Sequence, residues 1–450
     1  MGQQIERLAR LVAETSWETI PAAVRDHARL VFLDTLGVML AGSEQPEVAE
    51  LRAQLLETGG DGASLYAHGF PSTDPRTAAL LNGIAGRTVE LCETHRYVSC
   101  QGAVQVLPTV LALGESSGRS GREALAALVL GYEVAARIGA ATTARRLAHQ
   151  NGQWSLIGAV AAGARLRGFD AERVSRAMRI GAALVLTPSY TNVVAGATAL
   201  NVAGGMSGFA GSLVPELAQA GFEAQADAIE EAFGVLVGDG FAPERVTEGL
   251  GERWEIARNH LRLRACCNPI YPALDALEDA LADLRPRPDE IERIDVATFR
   301  FASVMDEPEP SNAFAAKYSL PHAAAAIVVR GSAGLDAFAE AALHDPAIAA
   351  LRRQVRVAED PELTELVPRL KPARVTVTLR DGRSATRACE ASRGGFDHPY
   401  EREEVLAKFR ELAGHVLTPQ GVAETEAAVE RFDQVADLRD FVARLRRFSR

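Results

Sequence analysis

Lysine is almost missing from this chain of 450 residues. Three of the 48 basic residues are lysines, Lys317, Lys371 and Lys408, and the rest are arginines, a bias that genomic composition explains better than function. Cysteine is also scarce. Cys92, Cys100, Cys266, Cys267 and Cys389 are odd in number and show no CxxC spacing, which points away from a disulfide framework and from a zinc site. Basic runs with interleaved aromatics are absent and the net charge is −11, so nothing suggests a nucleic-acid surface, and small molecules are the expected partners. No apolar run approaches the roughly 18 to 20 residues that span a bilayer, so no membrane is expected. The N-terminus, MGQQIERLARLVAETSW, has amphipathic helical spacing rather than a basic region followed by an apolar core, and the cytoplasm is the expected setting.

What is present is a helix-rich chain long enough for two cores. Up to about residue 255 the pattern is almost wholly helical, with breaks at Gly42-Ser43, Gly59-Gly60 and Gly118-Arg119. Glycine- and alanine-rich stretches at Gly158 to Gly168, Gly181 to Ala183 and Gly196 to Gly211 predict buried helices in close approach. The pattern then changes. Ile291 to Phe301 and Ala373 to Ala391 alternate as half-buried strands do, with Asp381-Gly382 at a hairpin turn. Helical runs at Pro272 to Leu284, Pro321 to Val329 and Leu335 to Ala342 lie between them. The fold class expected is mainly α, with a helical domain over 1–258 completed by 402–450 and an α+β domain over 259–401.

The stretch from Asn82 to Pro108 carries the densest chemistry. Acids, a histidine, two cysteines and two threonines sit there between two apolar segments of helical spacing, as a helix end and loop on rigid supports. Glu90 and Thr94, four apart, would share a face if the helix continued through them.

In order along the chain, the segments IPAAVRDHARLVFLDTLGVMLAG, AALLNGIAG with its following acids and ETH, VLPTVLALGE, LGYEVAARIG, GAVAAGARLRGFD, RACCNPIYPALDAL and KYSLPHAAAAIV resemble the MmgE/PrpD family. So does VTVTLRDGR leading to EEVLAKFRELA. That family includes 2-methylcitrate dehydratase, cis-aconitate decarboxylase and iminodisuccinate epimerase. The resemblance implies a large helical domain built from both chain ends, a smaller α+β lid, a homodimer, an active site in the cleft between domains, and no metal, iron–sulfur cluster or organic cofactor.

It also implies which positions to inspect. The family's DxDDT motif reads Glu90-Leu91-Cys92-Glu93-Thr94, and a family histidine just downstream is replaced around Cys100 and Gln101. His95 stands nearby as a substitute or as an ordinary exposed loop histidine, and Cys100 as a nucleophile has no identifiable base. His149 falls where the family keeps a histidine, able to meet an anion or donate a proton, and a packed histidine is the alternative. A family lysine maps to Leu200 or Asn201, so that cation is absent; Asn201 could bond an oxygen, with the polar run Thr187, Ser189, Tyr190, Thr191 and Asn192 close in sequence. A second family lysine corresponds to Arg262, a carboxylate clamp rather than a base, with Arg264 as the alternative. Tyr271 replaces a histidine as a weak acid or orienting hydroxyl, and Cys267 reads as packed. His322 takes the place of an aromatic hydroxyl at a helix start after Pro321, and Lys317 is a nearby cation or an exposed lysine.

The function implied is a lyase or isomerase that abstracts a proton next to a carboxylate or carbonyl, as a dehydratase or decarboxylase does. His149, His322, Glu90, Thr94 and Tyr271 are the catalytic candidates; Arg262, His95, Gln101, Asn201 and Lys317 are the substrate-binding ones. The alternatives are an epimerase, cyclase or other non-eliminating enzyme with a less anionic substrate, and an inactive metabolite-binding homologue.

Overall fold

The computed structural model describes residues 2–57, 60–95 and 97–450, so Gly59 of the expected Gly59-Gly60 break lies outside the described residues, as does Arg96. The chain divides into two compact units. One is built from Met1–Ser189, Ala199–Leu261 and Glu401–Arg450, and the other from Tyr190–Thr198 and Arg262–Tyr400.

The first unit is helical. Its main helices up to residue 219 are α1 (Gln3–Glu14), α2 (Ala22–Gly42), α3 (Pro46–Leu56), α4 (Pro75–Thr88), α5 (Gly102–Ser116), α6 (Gly121–Ala141), α7 (Trp154–Leu166), α8 (Ala171–Ala182) and α9 (Val202–Gln219). Helices Arg402–Ala413, Pro419–Glu430 and Leu438–Arg446 complete it from the C-terminal end. Local chemistry sets the starts. Asp74 caps α4 by accepting from the backbone N–H groups of Arg76 and Thr77, with Pro75 in the first turn, and Ser120 and Glu123 form a reciprocal capping box on α6.

Small residues let the central helices touch backbone to backbone, as the composition predicts. A Cβ at Gly83 would lie 2.7 Å from the Gly204 carbonyl oxygen, and one at Gly163 would clash with the Gly211 carbonyl oxygen at 2.1 Å. These approaches also give direction. Gly83 meets Gly204 and Gly205 while Ala79 meets Gly208, so α4 runs antiparallel to α9. Pro108 and Thr109 meet Gly208 and Gly211, and Ala159 and Gly163 meet Gly211 and Pro215, so α5 and α7 run parallel to α9. The C-terminal end of α4 therefore shares one end of the bundle with the N-termini of α5, α7 and α9.

One expectation is corrected here. The α6 helix is long and apolar enough to cross a membrane by length and composition, but 94% of its apolar window is buried inside the fold, where an all-round hydrophobic helix belongs.

The second unit carries a four-stranded sheet of β1 (Ile291–Thr298), β2 (Val355–Glu359), β3 (Ala373–Leu379) and β4 (Ser384–Cys389), in the order β4-β3-β1-β2. β1 and β2 pair in parallel and the other neighbours are antiparallel. Alternate residues Ala373, Val375, Val377 and Leu379 are buried, and the Tyr271–Leu284 helix packs on β3 and β4. Gly382, at φ +90°, closes the hairpin at the expected turn. The strand expected to reach Phe301 stops at Thr298, and Arg300–Ser303 turns helical. Leu335 to Ala342 splits into a 3-10 turn, Leu335–Phe338, and a short helix, Glu340–Leu343.

Filling one of the close helix contacts should be costly. Gly163→Val would press on the Gly211 backbone and lower unfolding stability by about 3 kcal/mol, seen as a lower denaturant midpoint at unchanged slope. An unchanged midpoint would mean that α7 and α9 are not in this contact.

Candidate active site

At the shared end of the bundle, α4 ends in a turn that folds an acid back on its own helix. The Glu90 N–H bonds to the Arg87 carbonyl at 3.4 Å, and Glu90 takes a left-handed φ of +57°, a conformation that a non-glycine residue adopts only when held there. Arg87, fully buried, does the holding. Its Nη2 donates to Glu90 Oε2 at 2.8 Å and its Nη1 to Cys92 Sγ at 2.9 Å. The helix does not continue through Thr94 as the shared-face reading requires. Thr94 lies in a two-residue strand, Thr94–His95, paired with Asn259–His260, and its hydroxyl donates to the Cys100 carbonyl at 3.0 Å.

Gln105 ties the three helix starts together. Its Oε1 accepts from the Gly152 N–H and the Ser207 hydroxyl, both at 2.9 Å, while its Nε2 donates to the Gln101 carbonyl at 3.1 Å and Asn151 Oδ1 at 3.4 Å. Cys100 Sγ lies 3.4 Å from Ser155 Oγ in the first turn of α7. Converging N-termini favour negative charge. At α5 that charge is supplied by Glu93, which accepts from the Ala103 N–H at 2.8 Å and from the Tyr132 hydroxyl at 2.8 Å. The exchanged acid motif thus places Glu90 on a guanidinium and Glu93 on a helix start. Asn201, 3% exposed just before α9, has no partner for its side-chain oxygen or nitrogen among the described residues, and the same holds for Gln101 Oε1.

His149 enters from the loop before α7. Its backbone N–H bonds to the Pro188 carbonyl at 2.8 Å, and its Nδ1 accepts from the Asn151 N–H at 3.2 Å. A ring whose Nδ1 accepts carries its proton on Nε2. Burial first, then the Arg87 charge, with Glu90 opposing, bring the imidazole pKa down to about 3. His149 is therefore a neutral Nε2–H donor within the field of the Arg87–Glu90 pair. Of the residues chosen from sequence, Glu90 and His149 lie near enough for the Glu90 charge to act on the imidazole.

His95 is buried rather than exposed. Its Nδ1 accepts from the N–H groups of Tyr97 and Val98 at 3.3 and 3.2 Å, so its Nε2–H donates to Glu255 Oε2 at 3.0 Å, and burial lowers its pKa. Burial raises the Cys100 thiol well above its usual range, which keeps it protonated.

The other candidates belong to the second unit. Arg262, 1% exposed, donates to the Cys266 carbonyl at 3.1 Å, and the Cys267 N–H bonds to the Lys317 carbonyl at 2.8 Å. Lys317 is buried, with its ammonium 6.0 Å from the Phe338 ring centre, and Phe338 in turn lies 5.4 Å from the His322 ring. His322 Nε2 bonds to the Ala337 carbonyl at 2.9 Å, leaving Nδ1 as acceptor for Arg352 at 3.4 Å. The Tyr271 hydroxyl donates to the Arg264 carbonyl and accepts from the Arg264 N–H at 3.2 Å, and burial raises its pKa. Arg264 itself is held by Asp275 at 2.6 Å and Glu278 at 2.8 Å.

Sequence reading passed over Arg87, Gln105, Asn151 and Ser207. Only Arg87 left a signal, its three-residue spacing to Glu90 at a helix end.

A mainly helical chain that buries an acid, a guanidinium and a neutral imidazole at one end of its bundle holds the groups that acid–base chemistry uses. The chain belongs to the MmgE/PrpD family: residues 6–240 match the family's N-terminal domain and 265–434 its C-terminal domain. It is 25% identical to a cis-aconitate decarboxylase-like protein of Aspergillus oryzae, over 98% of this chain and 97% of the relative. A cis-aconitate decarboxylase of Aspergillus terreus is 25% identical over 94% of this chain and 91% of its own length. One from Mus musculus is 23% identical over 92% and 87%.

The depressed His149 pKa has a stability signature. The unfolded histidine takes up a proton near pH 6.5 and the folded one only near 3, so stability is full above 6.5 and falls as pH drops through that window. His149→Gln should remove one proton's share, about 1.4 kcal/mol per pH unit, from the slope of unfolding free energy between pH 6 and 4. Equal slopes in the two proteins would show that His149 is not held neutral.

Proposed function

We propose that this chain is a cofactor-independent lyase or isomerase that moves a proton at the carbon beside a carbonyl or carboxylate of a small organic acid, in the manner of a dehydratase or decarboxylase. The observation that carries this reading is the neutral, Nε2-protonated His149 beside Glu90. In this reading Glu90 accepts the proton from carbon, the electron pair moves onto the neighbouring oxygen, and His149 donates a hydrogen bond to that oxygen as its charge grows. A neutral imidazole serves here better than a cation, because it stabilises the oxyanion without surrendering its proton. In a dehydration the enolate collapses with loss of the β-hydroxide, which leaves as water with the proton that Glu90 took; in an isomerisation Glu90 returns that proton to carbon. In a decarboxylation the enolate forms instead as carbon dioxide departs, and a protonated Glu90 delivers the proton to carbon. In the second unit Arg262 and Lys317 are buried cations, and His322 and Tyr271 hold their loops. Thr94 and His95 hold the loop after Glu90 in the same way. A homodimer working in the cytoplasm without metal or organic cofactor belongs to the same proposal.

The relatives' names support decarboxylation of a tricarboxylate, but one observation favours a less anionic substrate. Arg87 is already matched by Glu90 and the α5 N-terminus by Glu93, which leaves the neutral amides of Asn201 and Gln101 to receive part of the substrate. We therefore place a hydroxyl or carboxamide, rather than another carboxylate, against those amides.

A panel of hydroxy, unsaturated and amidated small acids tests both parts, with enoate absorbance reporting elimination or decarboxylation and proton NMR in deuterium oxide reporting exchange. His149→Gln should lower kcat about 100- to 1,000-fold, and Glu90→Gln at least 100-fold. Full activity in either variant, or silence of the native enzyme across the panel, sinks the proposal.

A further inference from the structure

Lys408, on the Arg402–Ala413 helix, is buried and its ammonium makes two short bonds, to Asp34 Oδ1 at 2.6 Å and to the Leu91 carbonyl at 2.7 Å. Asp34, 1% exposed, belongs to α2. Leu91 directly follows Glu90, the residue held at φ +57°. We propose that Lys408 is a positioning residue for the Glu90 carboxylate: by anchoring the Leu91 carbonyl to the C-terminal helix and α2, it fixes the peptide after Glu90 and keeps that side chain on Arg87 and beside His149. The inference rests on the proposed function only in naming Glu90 as a catalytic group.

The chemistry of the bond supports a positioning role over a purely stabilising one. A buried ion pair is a poor source of stability, since two neutral side chains of similar volume fill the space about as well. What they cannot do is donate two strong hydrogen bonds at once, one to a carboxylate and one to a loop carbonyl. The Leu91 carbonyl belongs to no helix or strand, so its direction is set by this ammonium. Arginine would keep the charge and several donors in a different geometry, and so should substitute in part.

The test separates position from stability. Lys408→Met alone leaves Asp34 charged and unbalanced and is expected to fold poorly. Asp34→Asn combined with Lys408→Met removes both charges, and should unfold near the native temperature yet show kcat about 100-fold lower with KM little changed. Lys408→Arg should recover part of that kcat. In histidine-labelled protein, the His149 ring resonances should move in the double variant and return toward native positions in Lys408→Arg. A double variant with native kcat and native His149 resonances would overturn the inference and leave the pair as a stabilising element. If the native enzyme moves no proton on any substrate, the functional reading fails, and the His149 resonances still decide the role of Lys408.

Discussion

The Arg87–Glu90 ion pair, 2.8 Å long and shut away from solvent at the end of α4, is the constraint on which the proposed site depends. A carboxylate buried without a partner would protonate, and a guanidinium buried alone would carry a desolvation cost of several kcal/mol. Each therefore requires the other, and the bond holds the Glu90 side chain against Arg87 in the left-handed turn that follows α4. That turn sets the path of Leu91, Cys92 and Glu93, which puts Glu93 on the α5 N-terminus. The pair also acts on His149 with opposed charges, Arg87 adding to the effect of burial and Glu90 opposing it, and burial is the largest of the three influences.

Helix packing makes this possible. Three parallel helices and one antiparallel helix bring their ends together only because glycine and alanine allow backbone contact over most of their length. Gln105 then fastens the starts of α5, α7 and α9 through four hydrogen bonds. Rigid helix ends are suitable carriers for an acid–base pair, because the geometry is fixed before the substrate arrives.

Much of the fold is legible in the sequence. Apolar spacing locates the helices of the first unit, and period-two alternation locates β1 and β3, which bury one face each, and β4, which follows β3 through the hairpin turn and stays largely exposed. β2 escapes notice since VRVAE is short and half charged, and pairing rather than its own composition makes it a strand. Tyr190–Thr198 groups with the second unit for a reason no local pattern carries: Asn312 donates to the Gly196 carbonyl at 3.1 Å, and the rings of Tyr190 and Phe301 lie 5.4 Å apart. At the site, His149 and Glu90 could be chosen from the chain, but the partners that set their chemistry could not. Gln105 acts through contacts made across the bundle, Arg87 through a turn that brings Glu90 back onto it, and the tautomer of His149 depends on one backbone N–H two residues away.

The central claim is that an oxygen gains negative charge against His149 while Glu90 takes a proton from the adjoining carbon. A crystal structure of the native enzyme with a nitronate analogue of its substrate tests it most directly, since a nitronate copies both the geometry and the charge of the enolate. The account predicts a nitronate oxygen about 3 Å from His149 Nε2, with the analogue's carbon facing the Glu90 carboxylate. An analogue bound elsewhere, with His149 still sealed from it, would contradict the account.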